Sequence, residues 1–422
     1  MKLRITLAAT IALVAVLALG PTASSSAPPG DNAVVHWSGV AATNIVVGRA
    51  PASSSVLGAM VHGAMYDAVA AVEGGLKPFA TGVTAPPGAS VDAAVAQAAR
   101  DVLVARLALP QQTAVQTAYD TYLASIPDGP AKNAGKAVGA AAALGMLAMR
   151  MGDRYDEPNQ YIQPPTGPGV FEPIAATPPV DPKLAFVRPF THDSPSDYRP
   201  SGPPNLKSRR YAKDVAELQK YGRSDSVFRS PLQTETVRFH TEQTYFQFNR
   251  TLRELANARA LDLRESARLL GYVNVATADT MLACWEAKYH YMFWRPNHAI
   301  GRADTDGNKA TSPDPTWLPL IVGNHPEYPS GHGCFTGAVT ESLRNYFGTN
   351  RVRLVISSTA VGAGPPRTYD TLDELVEDVE NARVWGGLHY RWTMTKTAKH
   401  FPRIARDVGR KHFLSDRRHD DD

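Results

Sequence analysis

The chain has 422 residues, 43% of them apolar, with a formal net charge of +4. That is room for one large domain or two ordinary ones, and the composition is far from a disordered one. The weak charge and the lack of a basic block interleaved with aromatics argue against nucleic acid as a partner.

At the N-terminus, Lys2 and Arg4 precede the apolar run Ile5 to Leu19 and then the small-residue stretch PTASSSA. This is the pattern of a cleaved secretory signal, and the run is short for a membrane span. No other segment is apolar enough to span a bilayer, so the expectation is a secreted, soluble protein with no stable membrane span. Apolar residues at 56, 57, 60, 61, 64, 65, 68, 69 and 72 then predict a helical face from Val56 to Val72. Helices are also predicted over VDAAVAQAARDVLVARL, from Gln111 to Ile126, and from Ala131 to Met151. Prolines crowd residues 158–205, where periodicity disappears, as expected of a long ordered connector. Helical patterning returns at Ser208 and continues to Phe413. Neither sustained β alternation nor a GxGxxG or GxxxxGKS loop is present, which disfavours nucleotide-binding α/β folds.

The expected fold class is therefore all-α, with two helical bundles. The expected division is a signal peptide over 1–27, an N-terminal bundle over 28–157, the connector over 158–205, a C-terminal catalytic bundle over 206–413 and a charged tail over 414–422. Cys284 and Cys334 are the only cysteines. In an oxidising compartment they invite a disulfide closing about fifty residues, and two buried thiols are the alternative.

Chemistry concentrates in three stretches: KYHYMFWRP (Lys288 to Pro296), HPEYPSGHG (His325 to Gly333) and ARVWGGLHYRWT (Ala382 to Thr393). Seven residues separate Lys288 from Arg295, so one continuous helix would set both on one face about 10 Å apart. Buried among aromatics, such cations need an anion. The second stretch predicts a helix start with Pro329 before it, Ser330 as N-cap, and a stop at Gly348. Ser330 either only caps that helix or, with the Gly331 amide, cradles an oxyanion. His332, one turn inside, is placed to move a proton. In the third stretch Arg383 and His389 would not share a helical face, and Gly386 and Gly387 predict a break that lets them converge.

These blocks resemble the signature KxxxxxxRP, PSGH and SRxxxxxHxxxD of vanadium-dependent haloperoxidases and type 2 phosphatidic acid phosphatases with their acid phosphatase relatives. Lys288, Arg295 and Pro296 match the first block, and Pro329, Ser330, Gly331 and His332 match the second. Arg383 and His389 match the third, where Ala382 replaces the serine and Thr393 the aspartate. The resemblance implies two helical bundles with the site in the second. It implies that Lys288, Arg295 and Arg383 neutralise the oxygens of vanadate or phosphate, with Ser330 and the Gly331 amide as further donors. His389 would be the metal ligand to vanadium, or a nucleophile forming a phosphohistidine, and His332 the general acid–base. The implied activity is oxidation of halide, bromide in preference to chloride, by hydrogen peroxide on vanadate, with an organic acceptor taking the halogen. The alternative is a secreted acid phosphatase that takes phosphomonoesters and needs no cofactor, phosphate being part of its substrate. Threonine at 393 supplies no charge to fix the histidine, which implies weaker vanadate retention or nucleophilicity unless another acid substitutes, and leaves open a phosphate-binding protein without turnover.

Among the remaining residues, His325 stands where chloroperoxidase-like members carry phenylalanine and bromoperoxidase-like members histidine; it tunes halide choice or is a loop histidine. Trp285 is a halide-site wall or ordinary helix packing. DTDGNKATSPD (Asp304 to Asp314) has its glycine at the wrong place for an EF-hand, so an acidic surface loop is expected. His62 and Asp67 are spaced for core packing rather than for a metal.

Overall fold

Local signals set most helix boundaries. The computed structural model describes residues 31–174 and 177–414; the predicted signal segment, and all of the predicted tail except Leu414, lie outside them. The first half contains α1 (Ala33–Ile45), α2 (Pro51–Glu73), α3 (Val91–Arg106), α4 (Leu109–Ala124) and α5 (Pro130–Met149). The second half contains α6 (Arg209–Tyr221), α7 (Pro231–Phe239), α8 (Thr244–Ala258), α9 (Leu263–Tyr291), α10 (Pro296–Gly301) and α11 (Gly331–Phe347), then α12 (Leu372–Trp385), α13 (Arg391–His400) and α14 (Pro402–Val408). Asn32, Ser90, Ser208 and Ser330 cap their helices through side-chain oxygens. Asp262 with Glu265, and Thr371 with Glu374, form reciprocal capping boxes. Pro402 ends α13 and restarts the chain as α14.

An antiparallel hairpin departs from the all-helical expectation: β1 (Leu354–Ile356) pairs with β2 (Arg367–Tyr369), Val355 opposite Thr368. Strands of three residues are too short to show alternation in a sequence. Among its described residues, the predicted connector contains two 3₁₀ turns, Pro182–Phe186 and Pro195–Tyr198. It is sewn to α9 by the buried Asp279 carboxylate, which accepts the Phe190 amide at 2.6 Å and the Thr191 amide and hydroxyl at 3.0 and 2.6 Å.

One hydrophobic cluster runs from Trp37 and Met65 through Leu270 and Leu282 of α9 to Phe335 and Ile404, so the two halves share a core. Its axis is α2, in which every residue from Ala52 to Ala70 is buried. The apolar face read from the sequence is only part of that burial. Small residues on the other sides let neighbours close in, as at Gly58, where an added Cβ would lie 2.3 Å from the Tyr245 ring. Contrary to the expectation that no segment beyond the N-terminal run is apolar enough to span a bilayer, α2 is, alone among the described residues, and 89% of its most apolar window is buried inside the fold.

Polar groups buried on α2 are satisfied internally. His62 Nδ1 donates to Gly58 O at 2.8 Å and Nε2 accepts from Ser38 Oγ at 3.0 Å. Asp67 accepts the amides of Phe79, Ala80 and Thr81. These are core roles, as expected. Burial pushes the His62 pKa down to about 4 from 6.5. The folded-state pKa lies below the unfolded one, so this contribution to stability is complete above about pH 6.5 and is lost as pH falls through 4. Between pH 7 and 4 the loss is about 3 kcal/mol. Urea denaturation should therefore show His62→Gln losing about that much less stability than wild type over the same interval. Parallel pH curves for the two proteins would assign the acid limb elsewhere.

Candidate active site

Three segments bring Arg295, Gly331, His332, Arg383 and His389 to the wall of one cavity of about 300 Å³, while Lys288 and Ser330 are buried behind it and do not line it. The first does so by breaking its helix. Met292 takes a left-handed φ of 47° after Tyr291, its amide closing on Lys288 O at 2.9 Å. Pro296 holds Arg295 extended, at φ −75° and ψ 154°. Lys288 and Arg295 thus do not lie on one helical face, contrary to the spacing argument; the chain reverses between them. In the second segment Ser330 caps α11, its hydroxyl accepting the Gly333 amide at 3.2 Å. The cap reading of this serine therefore holds, and its hydroxyl proton is free for a further acceptor. The amides of Gly331 and His332, in the first turn, have no intrahelical acceptor. A Cβ on Gly331 would lie 3.1 Å from the Trp285 indole, so glycine lets that ring close over the helix start. In the third segment α12 ends at Trp385, and Gly386 and Gly387 (φ 75°) turn the chain so that Arg383 and His389 both line the cavity. Ala50 and Pro51, before and at the start of α2, and Val180 of the connector complete its wall.

The cations are held differently from one another. Lys288 Nζ donates to the carbonyls of Pro326 (2.8 Å), Glu327 (3.2 Å) and Pro329. Its three donors all go to carbonyls of this loop, which it clamps beside the cavity. Burial, then Arg295, pushes its pKa well below a free lysine's. Arg295 donates to the carbonyls of His325 (2.7 Å) and Leu388 (2.8 Å), and its NH1 approaches His389 Nε2 at 3.5 Å. Arg383 gives one donor to His240 O at 3.2 Å, and its buried Nε has no partner. Burial pushes Arg295 down to about 10 and Arg383 to about 9, so both guanidinium groups stay charged at neutral pH.

The residue that sequence reasoning missed is Glu327. It is fully buried, and its Oε1 accepts His389 Nδ1 at 2.8 Å and the Tyr390 amide at 3.2 Å. Its Oε2 accepts the Thr393 hydroxyl at 2.9 Å. Burial pushes this carboxyl up to about 7 against the opposing pull of Arg295 and Lys288. Burial, then Arg295, Lys288 and Arg383, hold His389 well below an ordinary histidine, hence neutral. Its partners dictate the tautomer: Nδ1 carries the proton toward Glu327, and Nε2 presents its lone pair to Arg295 NH1. The only sequence signal for Glu327 was an acid within HPEYPSGH beside a missing one at 393.

His332 lines the cavity and is also neutral, lowered by burial and then by Arg383 and His240, with a hydrogen bond to the His240 backbone. Behind it, His240 Nε2 meets Asp378 at 3.1 Å, and Asp378 also accepts Tyr369 Oη at 2.7 Å. His325 is a cavity residue, 2.9 Å from Arg295 NH2 and stacked at 5.3 Å on Trp285. Trp285 lines the cavity as well, its Nε1 donating to Val180 O at 3.2 Å. Cys284 and Cys334 are bonded, which ties α9 to α11 beside the site. The DTDGNK segment is a self-bonded turn, with Asp306 accepting from the Asn308 amide and the Thr311 hydroxyl. Among the described residues no cluster of three metal-ligating acids, histidines or cysteines occurs.

A cavity lined by two charged arginines, one of them with an unpartnered Nε, and by a neutral imidazole suits an oxyanion that also takes a nitrogen ligand. Comparison with known proteins agrees. Residues 268–415 match the family model for the VCPO second helical-bundle domain. Over 105 residues the chain is 32% identical to the vanadium chloroperoxidase of Curvularia inaequalis, a match spanning 22% of this chain and 16% of that protein. The fold superposes on the crystal structure of a bacterial vanadium-dependent iodoperoxidase with TM-score 0.73, at 20% identity over 90% of this chain and 95% of the other. On a bacterial vanadium-dependent chloroperoxidase in its holo form the TM-score is 0.71, at 17% identity over 89% and 94% of the two chains. Motifs, fold and family model thus agree: residues 268–415 match the VCPO second helical-bundle domain, and the fold as a whole is that of bacterial vanadium-dependent haloperoxidases.

Proposed function

We propose that this protein oxidises halide with hydrogen peroxide at vanadate held in the cavity, bromide in preference to chloride. The observation that carries the reading is the neutral His389 imidazole, with Nδ1–H fixed by Glu327 and Nε2 bare, in a buried cavity where Arg383 Nε has no partner. His389 Nε2 would ligate the metal, Arg383 and Arg295 would face its oxygens, and Ser330 and the Gly331 amide would add donors. Vanadate bound there would supply a Lewis acid that activates peroxide toward the halide. His332, neutral and inside the cavity, would take a proton from incoming peroxide and return it to the departing oxygen. Trp285 and Phe335 narrow the cavity and limit water. Histidine at 325, bonded to Arg295, supports bromide over chloride through the resemblance noted for that position. The C-terminal bundle would be the catalytic unit, with the first half closing one wall. The signal read in residues 1–27 would export the chain, and the Cys284–Cys334 bond fits an oxidising compartment.

A second reading rests on the same bare Nε2, which is equally a nucleophile for a phosphoryl group. A paired assay decides between them. The protein is incubated with vanadate, peroxide and bromide, chloride or iodide, and bromination of a phenolic dye is followed. Separately, p-nitrophenyl phosphate hydrolysis is measured with and without vanadate. Vanadate-dependent bromination with little phosphoester turnover is expected. Phosphoester hydrolysis that vanadate inhibits, without halogenation, would establish the phosphatase instead.

A further inference from the structure

We infer that Glu327 is the positioning residue of His389, taking over from outside the third motif the part that the family signature gives to an aspartate at 393. The inference rests on the oxyanion reading of the cavity. Position 393 is one of two places where the chain departs from the signature, and the hydroxyl found there is bonded to a carboxylate: Thr393 Oγ1 donates to Glu327 Oε2 at 2.9 Å. Through its other oxygen Glu327 holds His389 Nδ1. The hydroxyl therefore orients an acid that arrives from the loop before α11.

Threonine and glutamate are a matched pair here. An aspartate at 393 would set two buried carboxylates against each other, and neither ionises easily in that position. The backbone fixes the reach of Glu327, since its amide donates to Phe293 O at 2.8 Å and its carbonyl accepts Lys288 Nζ at 3.2 Å. The loop that Lys288 clamps thus carries both the acid that sets the imidazole and the Ser330–Gly331 donors. One short segment registers the nitrogen ligand against the oxyanion cradle. A carboxylate behind Nδ1–H also raises the basicity of Nε2, which strengthens ligation or attack.

The test compares wild type, Glu327→Gln and the double variant Glu327→Gln/Thr393→Asp, each checked for folding by circular dichroism and thermal unfolding. Orthovanadate and inorganic phosphate are titrated calorimetrically into each at fixed pH. Glu327→Gln should bind about 10- to 100-fold more weakly, the range seen when such supporting groups are removed. The double variant, with its acid moved to the signature position, should recover most of that loss. A purely structural role for Glu327 would not be rescued from a different backbone position. Independently, ¹⁵N spectra of histidine-labelled wild type without oxyanion should show His389 protonated on Nδ1 and bare on Nε2. Unchanged affinity in Glu327→Gln, a folded double variant no better than the single one, or a His389 proton on Nε2 would overturn the inference. If wild type binds neither anion, the oxyanion reading fails while the tautomer still decides the role of Glu327.

Discussion

His389→Ala is expected to lose vanadate-dependent halide oxidation by about three orders of magnitude or more, the scale on which deletion of a group in the reacting set acts. The same variant should keep its fold. His389 is 1% exposed and lies in a turn between α12 and α13, not in a regular helix, and its side chain faces the cavity rather than the apolar core. Truncation removes the imidazole nitrogen that Arg295 NH1 approaches and leaves Glu327 with the Tyr390 amide and Thr393 hydroxyl as partners. No second histidine can substitute: His325 is bonded to Arg295 NH2, and His332 sits at the opposite helix start with its hydrogen bond to His240. Steady-state bromination at saturating vanadate, with thermal unfolding alongside, checks this. Retained activity in a folded His389→Ala protein would place the reacting nitrogen elsewhere.

Removing the Cys284–Cys334 bond should produce the largest stability loss of any change outside the cavity. The bond closes a separation of 50 residues. On the chain-entropy estimate it restricts the unfolded state by about 4 kcal/mol. Its placement extends the effect to the site. Cys284 precedes Trp285, and Cys334 follows His332 by two residues, so the bond pins α9, which bears Lys288, to the start of α11. Cys284→Ala/Cys334→Ala, which leaves no odd thiol, should lower urea-denaturation stability by about 4 kcal/mol. Wild type treated with reductant should approach the same value. A double variant within about 1 kcal/mol of oxidised wild type would show that packing of α9 on α11 suffices without the bond.

Much of the fold was legible because its signals are local. Ser330 caps its helix as read from the sequence, and the alanine-rich faces of α3 and α5 run at helical period. The site motifs were legible for a different reason: residue type and the three ordered blocks carried the resemblance, and Arg295, Gly331, His332, Arg383 and His389 do line one cavity. What failed was long-range or conformational. Lys288 and Arg295 sit seven apart, as on a helix, yet Met292 adopts a left-handed conformation and Pro296 bars Arg295 from continuing the turn. That proline was in view, and its effect on the residue before it could have been used. Glu327 was invisible because its partner His389 lies 62 residues away. The commitment of Lys288 to three carbonyls likewise depends on loop geometry that no spacing encodes.

The central claim, that this cavity holds a vanadium or phosphorus oxyanion through its cations and His389, is tested most directly by titrating orthovanadate into the purified protein. Saturable uptake of one vanadate per chain is predicted, competed by phosphate and abolished in His389→Ala. No uptake by folded wild type, or uptake indifferent to His389→Ala, would contradict it.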